Sequence, residues 1–191
     1  MTLLAELKRK AIHLLAGLVI PVGYEFLPEF WGRWVLVMAT AGVTAVDFLR
    51  LRNPFFRRLF LEYFAPLIRK HERSELTGAS YLLIASLVCV LAFDKPVAVA
   101  AIGFLVIGDT MAAVVGQAWG RMKVFGKTLE GTAVCFASCA LIAVLVPSLP
   151  LGVGLVGAGI AALVELLPIP VDDNLRIAIL SGWAMQALLP K

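Results

Sequence analysis

Asp109 stands in the middle of an apolar run, Val97 to Trp119. An ionisable group in such a run is expensive and defaults to a functional role. On a helix it shares one broad face with Ala112, Ala113, Gly116, Gln117 and Gly120. Small residues let a neighbouring helix approach closely, or leave space beside the carboxylate for a nucleotide or a metal. The next connection, Gly120 to Thr132, carries Arg121, Lys123 and Lys127, cations suited to neutralising phosphate oxygens. Gly126 adds backbone freedom and exposed N–H groups, and Thr128 and Thr132 are placed to bind an anion or to cap a helix. Gly126-Lys127-Thr128 looks like the end of a phosphate-binding P-loop, but position 121 is arginine where that motif needs glycine, and no strand feeds it. A P-loop is therefore rejected.

Three further clusters have the same flavour. Glu165 sits inside an apolar segment, followed by Asp172-Asp173-Asn174. One of the latter three suffices to cap a helix; the adjacent carboxylates also suit a hard cation such as Mg²⁺. Near the start, Arg9, Lys10 and His13 open an apolar span. Lys8 and Lys10 read as a basic membrane anchor, whereas His13 is harder to explain that way. Glu75, Thr77 and Ser80 meet the opening of another span, where Thr77 or Ser80 can act as a cap.

The elements that must position these residues are membrane helices. Of 191 residues, 61% are hydrophobic and 16% charged, against roughly 45–50% and 25% in soluble chains. Mean hydropathy is +0.92. About seven apolar segments are expected: Ile12–Leu27, Trp34–Val46, Gly78–Phe93, Val97–Trp119, Thr132–Val146, Leu151–Leu167 and Leu175–Leu189. The first is read as a retained helix, since no small-x-small cleavage site follows its basic start. No room remains for a soluble domain, so the chain reads as one transmembrane catalytic domain over 1–191. The fold class is all-α, a polytopic membrane bundle.

Of the 17 lysines and arginines, all but Arg33, Lys95 and Lys191 fall on one side if the N-terminus is cytoplasmic. The net charge of +4 is then a topology signal and gives no reason to invoke nucleic acid. The segment at about 48–75 alternates Arg with Phe and Leu and reads as a basic amphipathic stretch at the cytoplasmic interface, its helical part bounded by Pro54 and Pro66. Cys89, Cys135 and Cys139 read as small buried hydrophobes. Gly152, Gly154, Gly157 and Gly159 suit either a homodimer seam or packing within one chain. All the polar clusters fall on the side marked by the basic loops. A transporter would spread polar positions through to the outer side, and the outer half is nearly bare.

These motifs resemble the CTP-dependent lipid-alcohol kinases, which include dolichol kinase, phytol kinase and yeast-type diacylglycerol kinase. The resemblance rests on Arg9-Lys10-x-x-His13 with Gly17, Glu75-Leu76-Thr77-Gly78-x-Ser80-Tyr81, Gly108-Asp109-x-x-Ala112-x-x-x-Gly116, Gly126-Lys127-Thr128-x-Glu130-Gly131-Thr132, and Glu165 with Asp172-x-Asn174. It covers most of the chain. The Gly-Asp and Lys-x-x-Glu-Gly elements are also similar to the phosphatidate cytidylyltransferases, but the Ser-Pro-Lys-Lys run of the bacterial enzymes is missing.

The resemblance implies a membrane enzyme on the cytoplasmic face, moving the γ-phosphoryl of CTP to a lipid alcohol, with Mg²⁺. It implies Asp109, Glu130 and Asp172 as metal and nucleotide ligands, and Lys127 as a phosphate ligand. Gly108, Gly116, Gly120, Arg121, Lys123, Gly126, Thr128 and Gly131 would line the nucleotide. Either His13 or Asp109 would take the alcohol proton. Arg9, Lys10, Glu75, Thr77, Ser80, Glu165 and Asn174 complete the expected site.

Overall fold

In a computed structural model, residues 3–65, 68 and 71–189 are described. Side chains are described from Lys10 onward, His71 excepted. Arg9 and Pro66 therefore fall outside the described side chains.

The expected segments all appear as helices. They are α1 (Leu3–Phe26), α2 (Glu29–Arg52), α4 (Gly78–Ala92), α5 (Lys95–Trp119), α6 (Leu129–Leu145), α7 (Leu151–Leu166) and α8 (Asp173–Leu188), with a shorter α3 (Pro54–Phe64) between α2 and α4. Glu29–Arg52 and Lys95–Trp119 are long and apolar enough to cross a membrane by length and composition; α4, α6 and α7 are shorter apolar helices.

Two boundaries differ from expectation. The interfacial stretch does not begin at residue 48, because α2 continues to Arg52. Its α-helical part after α2 is α3, opened by Pro54 in its first turn with Asn53 as cap, the position where the missing proline N–H costs nothing, and a 3-10 turn follows at His71–Arg73. The connection after α5 also holds a small antiparallel hairpin, β1 (Lys123–Val124) and β2 (Lys127–Thr128). Phe125 and Gly126 form its turn with φ of 51° and 85°, the left-handed backbone that two-residue hairpins demand.

α5 is the central helix. Val97, Ala98, Ala100, Ala101 and Ile102 are fully buried, and α1, α4, α6 and α8 all pack on it. Its run is interrupted at Phe104–Gly108 by a π-turn, a feature that commonly marks functional positions. Asp109 follows it directly. Close helix approach is set by glycine. A Cβ on Gly108 would lie 2.6 Å from the Cys139 sulfur, and one on Gly157 would lie 2.5 Å from Met185. Of the four glycines of α7, Gly154 and Gly157 thus pack within the chain, whereas Gly152 and Gly159 meet nothing within 4 Å. The three cysteines are free and buried, as expected.

Candidate functional site

The polar clusters gather at one end of the bundle, in three connected groups. The first joins α1 to α5. Lys10 Nζ lies 2.6 Å from Asp109 Oδ2, with both side chains largely buried. Lys10 is therefore not a membrane anchor: seven residues into α1, it turns inward to meet a carboxylate that the π-turn presents. His13 lines the same cavity as Lys10 and Asp109.

The second group joins the hairpin to α7 and α8. Lys127 Nζ lies 2.9 Å from Glu165 Oε1 and 3.1 Å from Asp173 Oδ2. Partial burial disfavours the Lys127 ammonium, but Asp173 and Glu165 more than compensate and hold its pKa above the usual lysine value. The Thr132 hydroxyl donates to the other Glu165 oxygen at 3.1 Å. Arg176 pairs with Asp173 and donates to the carbonyls of Val164 and Leu167 at the end of α7. Asp172 accepts from the backbone and side-chain nitrogens of Asn174 at 2.9 and 2.8 Å, so it caps α8.

The third group joins the expected Thr77 and Ser80 to Asp47, which the sequence reading does not single out. Asp47, 2% exposed, accepts from Arg50 Nε at 2.6 Å, from the Thr77 amide and hydroxyl at 2.7 and 2.8 Å, and from the Ser80 hydroxyl at 2.6 Å. Arg50, 1% exposed, also donates to the carbonyls of Glu72 and Glu75 at 2.9 and 2.7 Å. Arg50 is thus a buried tether at the end of α2 and not an exposed cation of the basic stretch. Thr77 caps α4 as expected and serves Asp47 as well. The Glu75 side chain is exposed, and its backbone carbonyl makes the contact. An aspartate at the end of an apolar run, three residues before an arginine, was the available signal.

The three groups meet around a cavity of about 510 Å³. Lys10, His13, Asp109, Asp172, Asp173 and Asn174 line it, Asp47, Glu72 and Thr77 reach its wall, and the other lining residues are apolar or small. That is the usual character of a small-molecule site, apolar walls with a few convergent polar groups.

Several expected ligands lie elsewhere. The glycines on the small-residue face of α5 are packed against neighbours and do not line the cavity beside Asp109. A Cβ on Gly116 would lie 2.6 Å from the Thr128 hydroxyl, one on Gly120 2.4 Å from the Thr128 methyl, and one on Gly131 2.7 Å from the Ala112 carbonyl. With Gly108 against Cys139, these four glycines form the seam between α5 and α6. The amides of Gly120 and Gly131 are already bonded, to Gly116 and to Thr128. Thr128 itself is buried and caps α6.

Glu130 accepts the Met122 amide at 3.2 Å across the hairpin, and donated backbone N–H groups there hold its carboxyl below the usual range. It is not a wall of the cavity. Among the described residues no three His, Cys, Asp or Glu side chains form a metal-holding group, so Asp109, Glu130 and Asp172 do not converge. Arg121, Lys123 and Gly126 are exposed on the hairpin, with Phe125 at its tip.

Comparison with known proteins bears on this arrangement. The chain is 27% identical over 158 residues to the CTP-dependent diacylglycerol kinase 1 of Schizosaccharomyces pombe, covering 72% of this chain and 66% of that protein. It is 30% identical over 196 residues to the phytol kinase of Synechocystis, covering 94% of this chain and 79% of that protein. The chain belongs to the CTP-dependent lipid kinase family. Within this kinase family the spanned share varies: the chain covers 47% of the Saccharomyces cerevisiae CTP-dependent diacylglycerol kinase 1, to which it is 27% identical. A Methanocaldococcus jannaschii relative of uncharacterised function is 30% identical over 180 residues, with 88% of it covered. No family model and no solved structure matches. A lipid kinase requires a polar phosphoryl site joined to an apolar acceptor site, and the cavity has both characters.

Proposed function

We propose that this chain is a multi-pass membrane enzyme that moves the γ-phosphoryl of CTP to the hydroxyl of a lipid alcohol at the cytoplasmic face. The observation that carries the reading is one cavity that joins the Lys10–Asp109 pair to apolar residues such as Ile12, Val43, Val46 and Leu82. The helices that match the apolar segments are the spans, and the end rich in basic loops is cytoplasmic.

Phosphoryl transfer asks little covalent chemistry of a protein; catalysis is positioning and charge stabilisation. Lys10 fixes one oxygen of Asp109, and both residues line the cavity. Lys127, held on α7 and α8 by Glu165 and Asp173, offers a cation to the phosphates, with Arg121 and Lys123 on the exposed hairpin as outer contacts. Gly126 gives that hairpin its turn. His13, on the cavity wall, is the group placed to take the alcohol proton. Glu130 keeps the hairpin in place through the Met122 amide.

Mg²⁺ fits this donor set. It is ordinarily held by one or two carboxylates with substrate phosphates completing the shell, so a three-carboxylate cage is not required. Asp109 and Asp172, both on the cavity wall, are the residues that would hold it, and it would supply charge neutralisation at the transferring phosphate.

The deciding experiment uses purified protein in lipid vesicles with CTP radiolabelled at the α or the γ phosphate, offered a lipid alcohol or a lipid phosphate. Label passing from the γ position to the alcohol is the expected result. Label passing from the α position to a lipid phosphate would make the chain a cytidylyltransferase.

A further inference from the structure

We propose that the cleft between α1 and α2, roofed by α3, is the groove that holds the hydrocarbon tail of the acceptor alcohol, and that Gly42 keeps it open. This rests on the lipid-kinase reading for the identity of its occupant.

The cleft follows from how the first helices pack. α1 lies mainly against α5, whereas α2 lies mainly against α4 and α3, so the two consecutive helices diverge. The gap between them is the cavity lined by Lys10 and Asp109. Its sides are Ile12 and Ala16 from α1, Val43 and Val46 from α2, Leu82 from α4 and Phe64 from α3. Ile12, Val46 and Phe64 are also exposed, so the apolar walls of the cleft reach the protein surface, which the membrane reading assigns to lipid.

The roof packs mainly on α2. No residue of α3 is buried. Phe60 stacks on Phe64 at 4.9 Å, and the Arg50 guanidinium lies 4.9 Å from the Phe60 ring. Arg50 is in turn fixed by Asp47, which ties the roof to the polar wall of the cavity. Phe55, Phe56, Leu59 and Tyr63 remain exposed, an outward aromatic face of the kind that settles into the membrane interface.

The occupant is selected by polarity along the groove. A triphosphate is excluded from the apolar part of the groove, where nothing solvates its charge. A long alkyl or isoprenoid chain is favoured there, each buried methylene counting about fourfold in affinity, while its terminal hydroxyl reaches the Lys10–Asp109 pair. Gly42 is the sensitive position. It lines the cavity, and a Cβ built on it meets nothing within 4 Å. A side chain there enters the groove and disturbs no packed neighbour.

The test is photolabelling of the full chain in vesicles with a diazirine-bearing primary alcohol of about twenty carbons, followed by peptide mapping, with no nucleotide present. The expected label falls on the α1 and α2 residues of the groove. It drops about tenfold or more in Gly42→Phe and persists in Gly42→Ala. In the kinase assay Gly42→Phe raises KM for that alcohol by a similar factor, while KM for CTP and turnover of an alcohol of about six carbons stay unchanged. Label spread evenly over the lipid-facing helices, or unaffected by Gly42→Phe, overturns the groove. Equal loss of the long and short alcohols in Gly42→Phe overturns it too. Specific labelling without transfer from CTP to any alcohol leaves the groove standing and sinks the kinase reading instead.

Discussion

Two aspartates are largely enclosed in this bundle, each paired with a base, and their surroundings differ. Asp47 receives donors on both oxygens: Arg50 on one, and Thr77 and Ser80 on the other. Its partner Arg50 is fully enclosed and spends its remaining nitrogens on backbone carbonyls. Each Arg50 nitrogen and each Asp47 oxygen is bonded, so the group works as a latch that fastens the segment before α4 to the end of α2. Asp109 has, among the described residues, one bond on one oxygen, from Lys10. Both members of that pair line a cavity. Burial and an ion pair are common to both sites, and neither distinguishes a working residue from a structural one. Unused acceptor capacity facing a cavity does.

The largest expected effect breaks the comparison at Asp109. Asp109→Asn should lower phosphoryl transfer by at least about 10³-fold, as loss of a group that positions charge in phosphoryl transfer does. Its thermal unfolding temperature in detergent should stay near that of the parent, because Lys10 lines a cavity that water can enter. Asp47→Ala inverts the pattern. It strands Arg50 in an enclosed site and should destabilise the fold by about 3–5 kcal/mol, read as a fall in unfolding temperature, with transfer per folded molecule largely retained.

Lys127→Ala comes next. Loss of a charged hydrogen bond to phosphate should weaken CTP binding roughly 10–100-fold, measured by titration calorimetry; unchanged affinity would remove Lys127 from the phosphate site. Glu130→Ala is the mildest. It frees the Met122 amide and loosens the hairpin, so KM for CTP should rise by about fivefold with kcat little changed. A collapse of kcat at normal KM would instead put the Glu130 carboxylate in the chemistry.

Much of this was legible from residue types. Apolar runs bounded by charge located the helices, because a long segment without charge has few other solutions. The lysine and arginine bias marked the end where the site lies. Asp109 was conspicuous because its run is otherwise uncharged. Other parts depend on how helices meet. Gly116 and Gly131 carry the same pattern whether they cradle a phosphate or seat a neighbouring helix, and only the 2.6 and 2.7 Å approaches to Thr128 and Ala112 decide for the helix. Lys10 has the same sequence surroundings as an anchoring lysine; the direction α1 turns it is a tertiary fact. Asp47 sat beside a basic stretch that explained Arg50 too easily, and its partners Thr77 and Ser80 lie 30 and 33 residues away. The β1–β2 hairpin is two residues per strand, below what alternation can reveal.

The central claim is that Asp109 is the working aspartate of a lipid kinase and Asp47 the structural one. Its most direct test is γ-labelled phosphate transfer to a lipid alcohol by purified Asp109→Asn and Asp47→Asn proteins, each normalised to the folded fraction measured by thermal unfolding. The account predicts that transfer per folded molecule is lost in Asp109→Asn and kept in Asp47→Asn. Transfer kept in Asp109→Asn, or lost equally in both per folded molecule, would contradict it.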